Sequence, residues 1–234
     1  MTERRGATRS PRSMQIGPSR LAWVGNALQI DIDEWTAPLP QRLRGRITVQ
    51  CQALPGRVFA LDCKARHLWQ PISPAARIEV ALDQPRLNWQ GEAYLDSNAG
   101  TRPLARDFSH WHWSRAALLG GRSQVMYDVT GLDGSQQHLA LAFDSTGDVE
   151  AVCAPPTCPL PATAWGLQRQ THADKGALPT ELARLESGPF YSRALLHTQW
   201  GGEPVTAIHE SLSLRRFCAP WVQAMLPFRM PRRG

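Results

Sequence analysis

Lysine is nearly missing from this chain. Among 26 basic residues it occurs only at Lys64 and Lys175, so the net charge of +6 over 234 residues is almost wholly arginine. Those arginines are scattered and no nucleic-acid motif accompanies them, which argues against a nucleic-acid partner. What remains is a solvated face and attraction to anionic lipid, with the basic ends around Arg4-Arg5 and Arg229 to Arg233 favouring peripheral contact with a membrane surface. No apolar run approaches the roughly 20 residues that span a bilayer, and mean hydropathy is −0.34. The Arg-rich opening is followed by no apolar segment of the kind a secretory signal needs. Cysteines 51, 63, 153, 158 and 218 form no CxxC pair; Cys153 and Cys158 bracket a proline-rich stretch and could pair, but a reduced cytoplasmic state is the default. GxSxG, P-loop and Rossmann glycine patterns are all absent, so hydrolase, phosphotransfer and dinucleotide chemistry have no support.

What is present is strand periodicity. LAWV, a Gly25-Asn26 turn and ALQIDID read as a hairpin, and RITVQCQA, RVFALD, ARIEVALD and LNWQGEAYLD follow, the last leading into a Ser97-Asn98-Ala99-Gly100 turn. SHWHWSRA, QVMYDVT and QHLALAFD continue the pattern, and YSRALLHTQW meets EPVTAIHESLSL across Gly201-Gly202. PTELARLES reads as a short helix and FCAPWVQAML as a terminal one, with Trp221 and Met225 on one face. The expected organisation is a poorly ordered basic segment (1–14), a β domain carrying the site (15–153), a Pro-rich connector (154–165) and a C-terminal β-rich segment that completes a barrel (166–234). Short strands at this spacing predict an all-β fold, an antiparallel barrel or sandwich with a short C-terminal helix. Nine tryptophans against three tyrosines suit large apolar ligands, although most will fill cores.

The stretch GEAYLDSNAGTRPLARDFSHWHWSRA (91–116) carries the chemistry. Tyr94 and Asp96 stand two apart, as do His67 and Trp69 in the upstream RHLWQPI. In extended chain each pair shares a face, so two strand pieces offer a carboxyl, an imidazole, a phenol and an indole to one space. An aspartic acid in an apolar pocket stays protonated because burial penalises the carboxylate. A tryptophan face stabilises a cation, and a neutral histidine can take a proton from water. The competing reading makes Asp96-Ser97-Asn98 ordinary turn chemistry and the aromatics core residues.

The YLDSNAG…HWHWSRA block, RHLWQPI, IGPSRLAWVGNALQIDIDEWTAPLP (16–40) and HESLSLRRFCAPWVQAMLPFRMPRR (209–233) together resemble the carotenoid 1,2-hydratase family, also called hydroxyneurosporene synthase, of purple photosynthetic bacteria. The resemblance covers nearly the whole chain. It implies a lipocalin-like architecture and cofactor-independent hydration of the terminal 1,2 double bond of acyclic carotenes such as neurosporene or lycopene. Asp96 matches the family's catalytic acid, and His67, Trp69 and Tyr94 match its active-site residues. Asp96 is expected to donate the proton, Trp69 and Tyr94 to line the cation site, and His67 to orient water or accept its proton. The partners implied are the carotene and water; the location implied is cytoplasmic, peripheral to the inner or intracytoplasmic membrane. Members carry a substantial portion before the segment that begins here, so MTERRG reads as an internal stretch of a longer relative. The alternative is a non-catalytic binder of a long apolar ligand. No metal, nucleotide or redox cofactor is required by the reaction. His110, His112 and nearby Asp107 look like the start of a metal site without further ligands at a suitable spacing, and Asp128 is a second buried-acid candidate.

Overall fold

Hairpin chemistry organises the chain from its first described residues; the computed structural model describes residues 7–36 and 39–229. Strands β1 (Ala7–Ser10), β2 (Ser13–Ile16), β3 (Ser19–Val24), β4 (Ala27–Trp35) and β5 (Arg42–Cys51) form an antiparallel meander. The Gly25-Asn26 hairpin is present: Val24 pairs with Ala27, and Gly25 takes the positive φ of 60° that a two-residue turn demands. The basic opening expected over 1–14 lies partly outside the described residues; from Ala7 onward it pairs as β1 and β2. Strands β6 (Phe59–Ala60), β7 (His67–Gln84) and β8 (Leu87–Gly100) follow, with β7 pairing β5, β6 and β8.

A second antiparallel sheet comprises β9 (Phe108–Ala117), β10 (Ser123–Gly131), β11 (Gln136–Phe143) and β12 (Val149–Ala151). After the hairpin β13 (Thr157–Leu160) and β14 (Arg169–His172), the sheet is completed by β15 (Thr180–Ser187), β16 (Tyr191–Trp200) and β17 (Glu203–Ser213), in the order β12-β11-β10-β9-β17-β16-β15. The proline-dense stretch over 154–165 contains β13, whose Cys158 stands opposite Thr171, and all five cysteines are free thiols. Helices α1 (Leu214–Phe217) and α2 (Pro220–Arg229) end the described chain, with Pro220 at the first helical position, where its missing N–H costs nothing. No helix among the described residues is long and apolar enough to cross a membrane.

The chain forms two compact units, one of residues 1–54, 73–95 and 223–234, the other of residues 55–72 and 96–222. In the first, Leu28, Val49, Cys51 and Ala76 form the core, flanked by Trp23, Ile47 and Leu95. In the second, Ala116, Met126, Trp200, Val205 and Ala207 pack on one face of the seven-stranded sheet.

Two local expectations are corrected. PTELARLES is not helical but forms the edge strand β15, paired to β16 from Thr180 opposite His197 to Ser187 opposite Ser192. Irregularities at Glu181/Ala183 and Arg184/Glu186 let this segment of good helix formers hydrogen-bond to a sheet edge, so tertiary pairing overrides propensity. The Ser97–Gly100 segment is not a turn: β8 stays extended to Gly100, and Thr101 N–H donates to the Arg66 carbonyl at 3.0 Å.

Candidate active site

A tight turn presents the start of β7. Asp62 accepts backbone N–H groups from Lys64, Arg66 and His67 at 2.9, 3.0 and 2.9 Å, while Ala65 adopts a left-handed φ of 50°. This fixes where the strand begins, and alternation then puts His67 and Trp69 on one side of it. Both are buried, at 1% and 0% exposed.

Facing them is the end of β8, where alternation aligns Asp96, Asn98 and Gly100. Each meets a different partner. Trp69 Nε1–H donates to Asp96 Oδ2 at 2.8 Å. Tyr127 of β10 donates its hydroxyl to Asn98 Oδ1 at 3.4 Å, a long bond. Gly100 brings bare backbone against His67: a methyl built there would lie 2.6 Å from His67 Nδ1. Tyr127, 2% exposed, sets its ring edge-on to Trp69 (5.6 Å, 87°) and to Trp111 (6.1 Å, 79°), and Phe59 packs on Trp69 at 5.6 Å. Edge-to-face rings of this kind leave electron-rich faces available to a positive charge.

His67 is anchored from behind. Its Nε2 lies 2.7 Å from Asp107 Oδ2, and Asp107 also binds Arg102 and Arg66, the latter at 2.6 Å. The Arg102 hydrogen bond, outweighing burial and aided by His67, holds the Asp107 carboxyl far below the usual carboxylate range. An ionised Asp107 can only accept, so His67 carries a proton on Nε2. Its Nδ1 is buried and has no hydrogen-bond partner among the described residues.

Of the four expected site residues, Trp69 and Asp96 are in direct contact, and His67 stands two residues from Trp69 on the same strand face. Tyr94 is half-buried on the part of β8 that belongs to the first unit. Asp107 does not join His110 and His112 as the metal-like pattern suggested; it serves His67 and two arginines, and no metal-holding group of three or more His, Cys, Asp or Glu occurs among the described residues. Asp128 is buried but is no free acid. Its two oxygens bind His138 Nδ1 and His172 Nε2, each at 2.8 Å, and these bonds outweigh burial and hold its carboxyl below the ordinary value. The residues missed from sequence are Tyr127, Asn98 and Gly100.

Residues 1–234 match the family described as carotenoid hydratase CrtC. The chain belongs to that family. It is 48% identical over 237 residues to the acyclic carotenoid 1,2-hydratase of Thiocapsa roseopersicina and 43% identical over 236 to that of Rubrivivax gelatinosus, covering all of this chain and 58% of each relative. With the acyclic carotenoid 1,2-hydratase of Rhodobacter capsulatus it shares 43% identity over 238 residues, covering 84% of that protein. The chain thus spans a little under three fifths of two of these relatives. A solved structure from Nitrosomonas europaea that carries the provisional name AttH superposes with a TM-score of 0.59 at 14% identity, covering 90% of this chain and 72% of the other. That likeness speaks for the fold, which is all-β and lipocalin-like as the CrtC resemblance implied.

Proposed function

We propose that this chain adds water across the terminal 1,2 double bond of an acyclic carotene, with Asp96 as the acid. The observation that carries the reading is the Trp69–Asp96 hydrogen bond inside an aromatic cluster. Because Oδ2 accepts the indole N–H, the acidic proton resides on Oδ1. It passes to C2, the 1,2 π bond breaks, and a tertiary cation forms at C1. The faces of Trp69 and Tyr127 are the groups suited to stabilise it, each such contact contributing on the order of 1–2 kcal/mol when desolvated. A water oxygen bonds to C1, and the proton it releases passes to His67 Nδ1, the free lone pair of a ring oriented by Asp107. Return of that proton to Asp96 through solvent closes the cycle, so the balance needs only alkene and water.

Expression in cells that accumulate lycopene or neurosporene, followed by chromatography with mass detection, tests the reading. An alcohol heavier by one water, lost in Asp96→Asn, is expected. Unchanged pigment from folded, soluble protein would leave the carotene-binding, non-catalytic alternative in its place.

Contact with an anionic lipid surface is part of the proposal. The basic chain ends lie outside the described side chains, but the first unit supplies another feature. Arg44 of β5 stands opposite Gln84 of β7, so the turn after Trp35 and the turn before Leu87 lie at one end of the sheet. Trp35 (50% exposed), Leu39 (73%), Leu87 (46%) and Trp89 (48%) all project there, with Arg42 stacked on Trp35 at 5.2 Å. Amphipathic rings beside arginine suit a headgroup layer. Flotation with phosphatidylglycerol vesicles should be lost in the Trp35→Ala/Trp89→Ala double variant; unchanged flotation would remove this surface from the proposal.

A further inference from the structure

An alkene hydratase must deliver water to the cation before the cation sheds a proton and reverts. Asp96 and His67 account for the proton transfers, but neither accounts for where the water waits. The end of β8 offers a place. Asp96 and Asn98 share its face, and while Asp96 meets Trp69, Asn98 meets the Tyr127 hydroxyl across 3.4 Å. That bond is long for an O–H donor, which ordinarily closes to about 2.8 Å. The two partners differ in access as well: Tyr127 is 2% exposed and Asn98 is exposed, so the pair runs from the aromatic floor to solvent. Both groups are neutral. Burial pushes the Tyr127 phenol well above its ordinary value, so it remains protonated.

We propose that the Tyr127 hydroxyl and the Asn98 carboxamide together hold the attacking water beside Asp96, making them binding residues for the second reactant. The inference rests on the hydratase reading above. Asn98 Oδ1 accepts one water proton and the Tyr127 hydroxyl donates to the water oxygen in the resting state. As the cation forms, that oxygen turns its lone pair to C1, the C–O bond forms, and the released proton goes to His67 Nδ1. Neither holder is basic enough to deprotonate water beforehand, which preserves the acid on Asp96.

Partitioning in deuterium oxide separates this role from a structural one. In the Tyr127→Phe variant the ring and its edge contacts remain, so protonation by Asp96 should continue. A cation without water can only lose a proton, returning an alkene labelled at C2 or shifted to a methylene isomer. The expected result is solvent-deuterium exchange into the carotene within about 3-fold of wild type, with alcohol formation down by about 10- to 100-fold. Asn98→Ala, at an exposed position where folding is not at stake, should show the same uncoupling, and Asp96→Asn should lose exchange and alcohol together. Wild-type alcohol yield in both Tyr127→Phe and Asn98→Ala, or parallel loss of exchange and alcohol in either, overturns the proposal. A wild-type chain that neither hydrates nor exchanges overturns the hydratase reading and this inference with it.

Discussion

Over β10 the two faces of the seven-stranded sheet are both buried, whereas along β16 and β17 burial favours the side that carries His209; the two faces are built on opposite rules. On one, cross-strand register lines up His138, Asp128, His112 and Ser211, with His209 and Ser114 alongside. There the groups satisfy one another. His209 engages Ser114 through Nδ1 at 2.8 Å and Ser211 through Nε2 at 3.0 Å; His112 Nδ1 shares Ser211 at 3.0 Å. His172 reaches the Pro155 carbonyl at 2.6 Å and Asp128 at 2.8 Å, two acceptors that require it to be an imidazolium. The other face holds Tyr127, Trp111 and Trp113. Arg193 pairs there with Glu210 at 2.9 Å, the Tyr127–Asn98 bond is long, and the histidine near it, His67, keeps an unused ring nitrogen. A buried histidine with both nitrogens bonded is structural cement, whereas one with a spare lone pair is available for chemistry. The histidine-rich face is therefore a self-satisfied framework, and under the proposed function the face with Tyr127 is the one turned toward the chemistry.

Under the proposed function, removing the acid that β8 presents beside the Tyr127 face should cost activity and spare stability. Asp96→Asn is expected to lower kcat by about 10²- to 10⁴-fold, with a thermal midpoint within a few degrees of wild type; comparable turnover would remove the acid from the scheme. Breaking the first face should do the reverse. Burial, then neighbouring His110, lowers His112 to about 4; burial, then His112, lowers His209 to about 3. Both are depressed below the unfolded value near 6.5, so the unfolded chain binds more protons between those limits. Their contribution to stability is present above about pH 6.5 and is lost as pH falls. Denaturant melts between pH 6 and 4 should lose roughly 2–3 kcal/mol per pH unit, the slope of about two protons; a flat profile would show that these rings are not held neutral. His172, raised above its ordinary value because Asp128 and Pro155 outweigh burial, acts only at higher pH, its stabilisation fading as pH rises through its folded value.

Smaller effects sharpen the contrast. Ser211→Ala strands ring nitrogens of His112 and His209 and should destabilise by about 1–3 kcal/mol, while turnover per folded molecule stays within twofold; a large loss of turnover would blur the division between faces. Ala65→Gly relieves a left-handed alanine in the turn before His67 and should gain at most about 1 kcal/mol, read as a small rise in melting temperature. A fall would mean the turn depends on the alanine methyl.

Much of this was legible in the residues themselves. Period-2 alternation paired His67 with Trp69, and the hairpins at Gly25-Asn26 and Gly201-Gly202 followed from turn chemistry. The same alternation, carried two and four residues past Asp96, reaches Asn98 and Gly100. It was hidden because Ser-Asn-Ala-Gly is also turn composition, and only pairing to distant chain keeps it extended. Tyr127 was hidden for a different reason: most residues of β10 are buried whichever side they face, so no alternation marks which side serves the site. The Asp107–His67 bond joins residues 40 apart and leaves no local signature.

The boundary between the two units falls inside β8, after Leu95. Tyr94 thus belongs to one unit, and Asp96, Asn98 and Gly100 to the other. Because the second unit also takes residues 55–72, a crossover at that single peptide bond would carry His67 and Trp69 along with Tyr94 and leave Asp96, Asn98 and Gly100 behind as a block. Under the proposed function, chimeras joined there would draw the acid from one relative and the histidine and indole that act with it from another, so their activity would report how closely the two halves of the site must match.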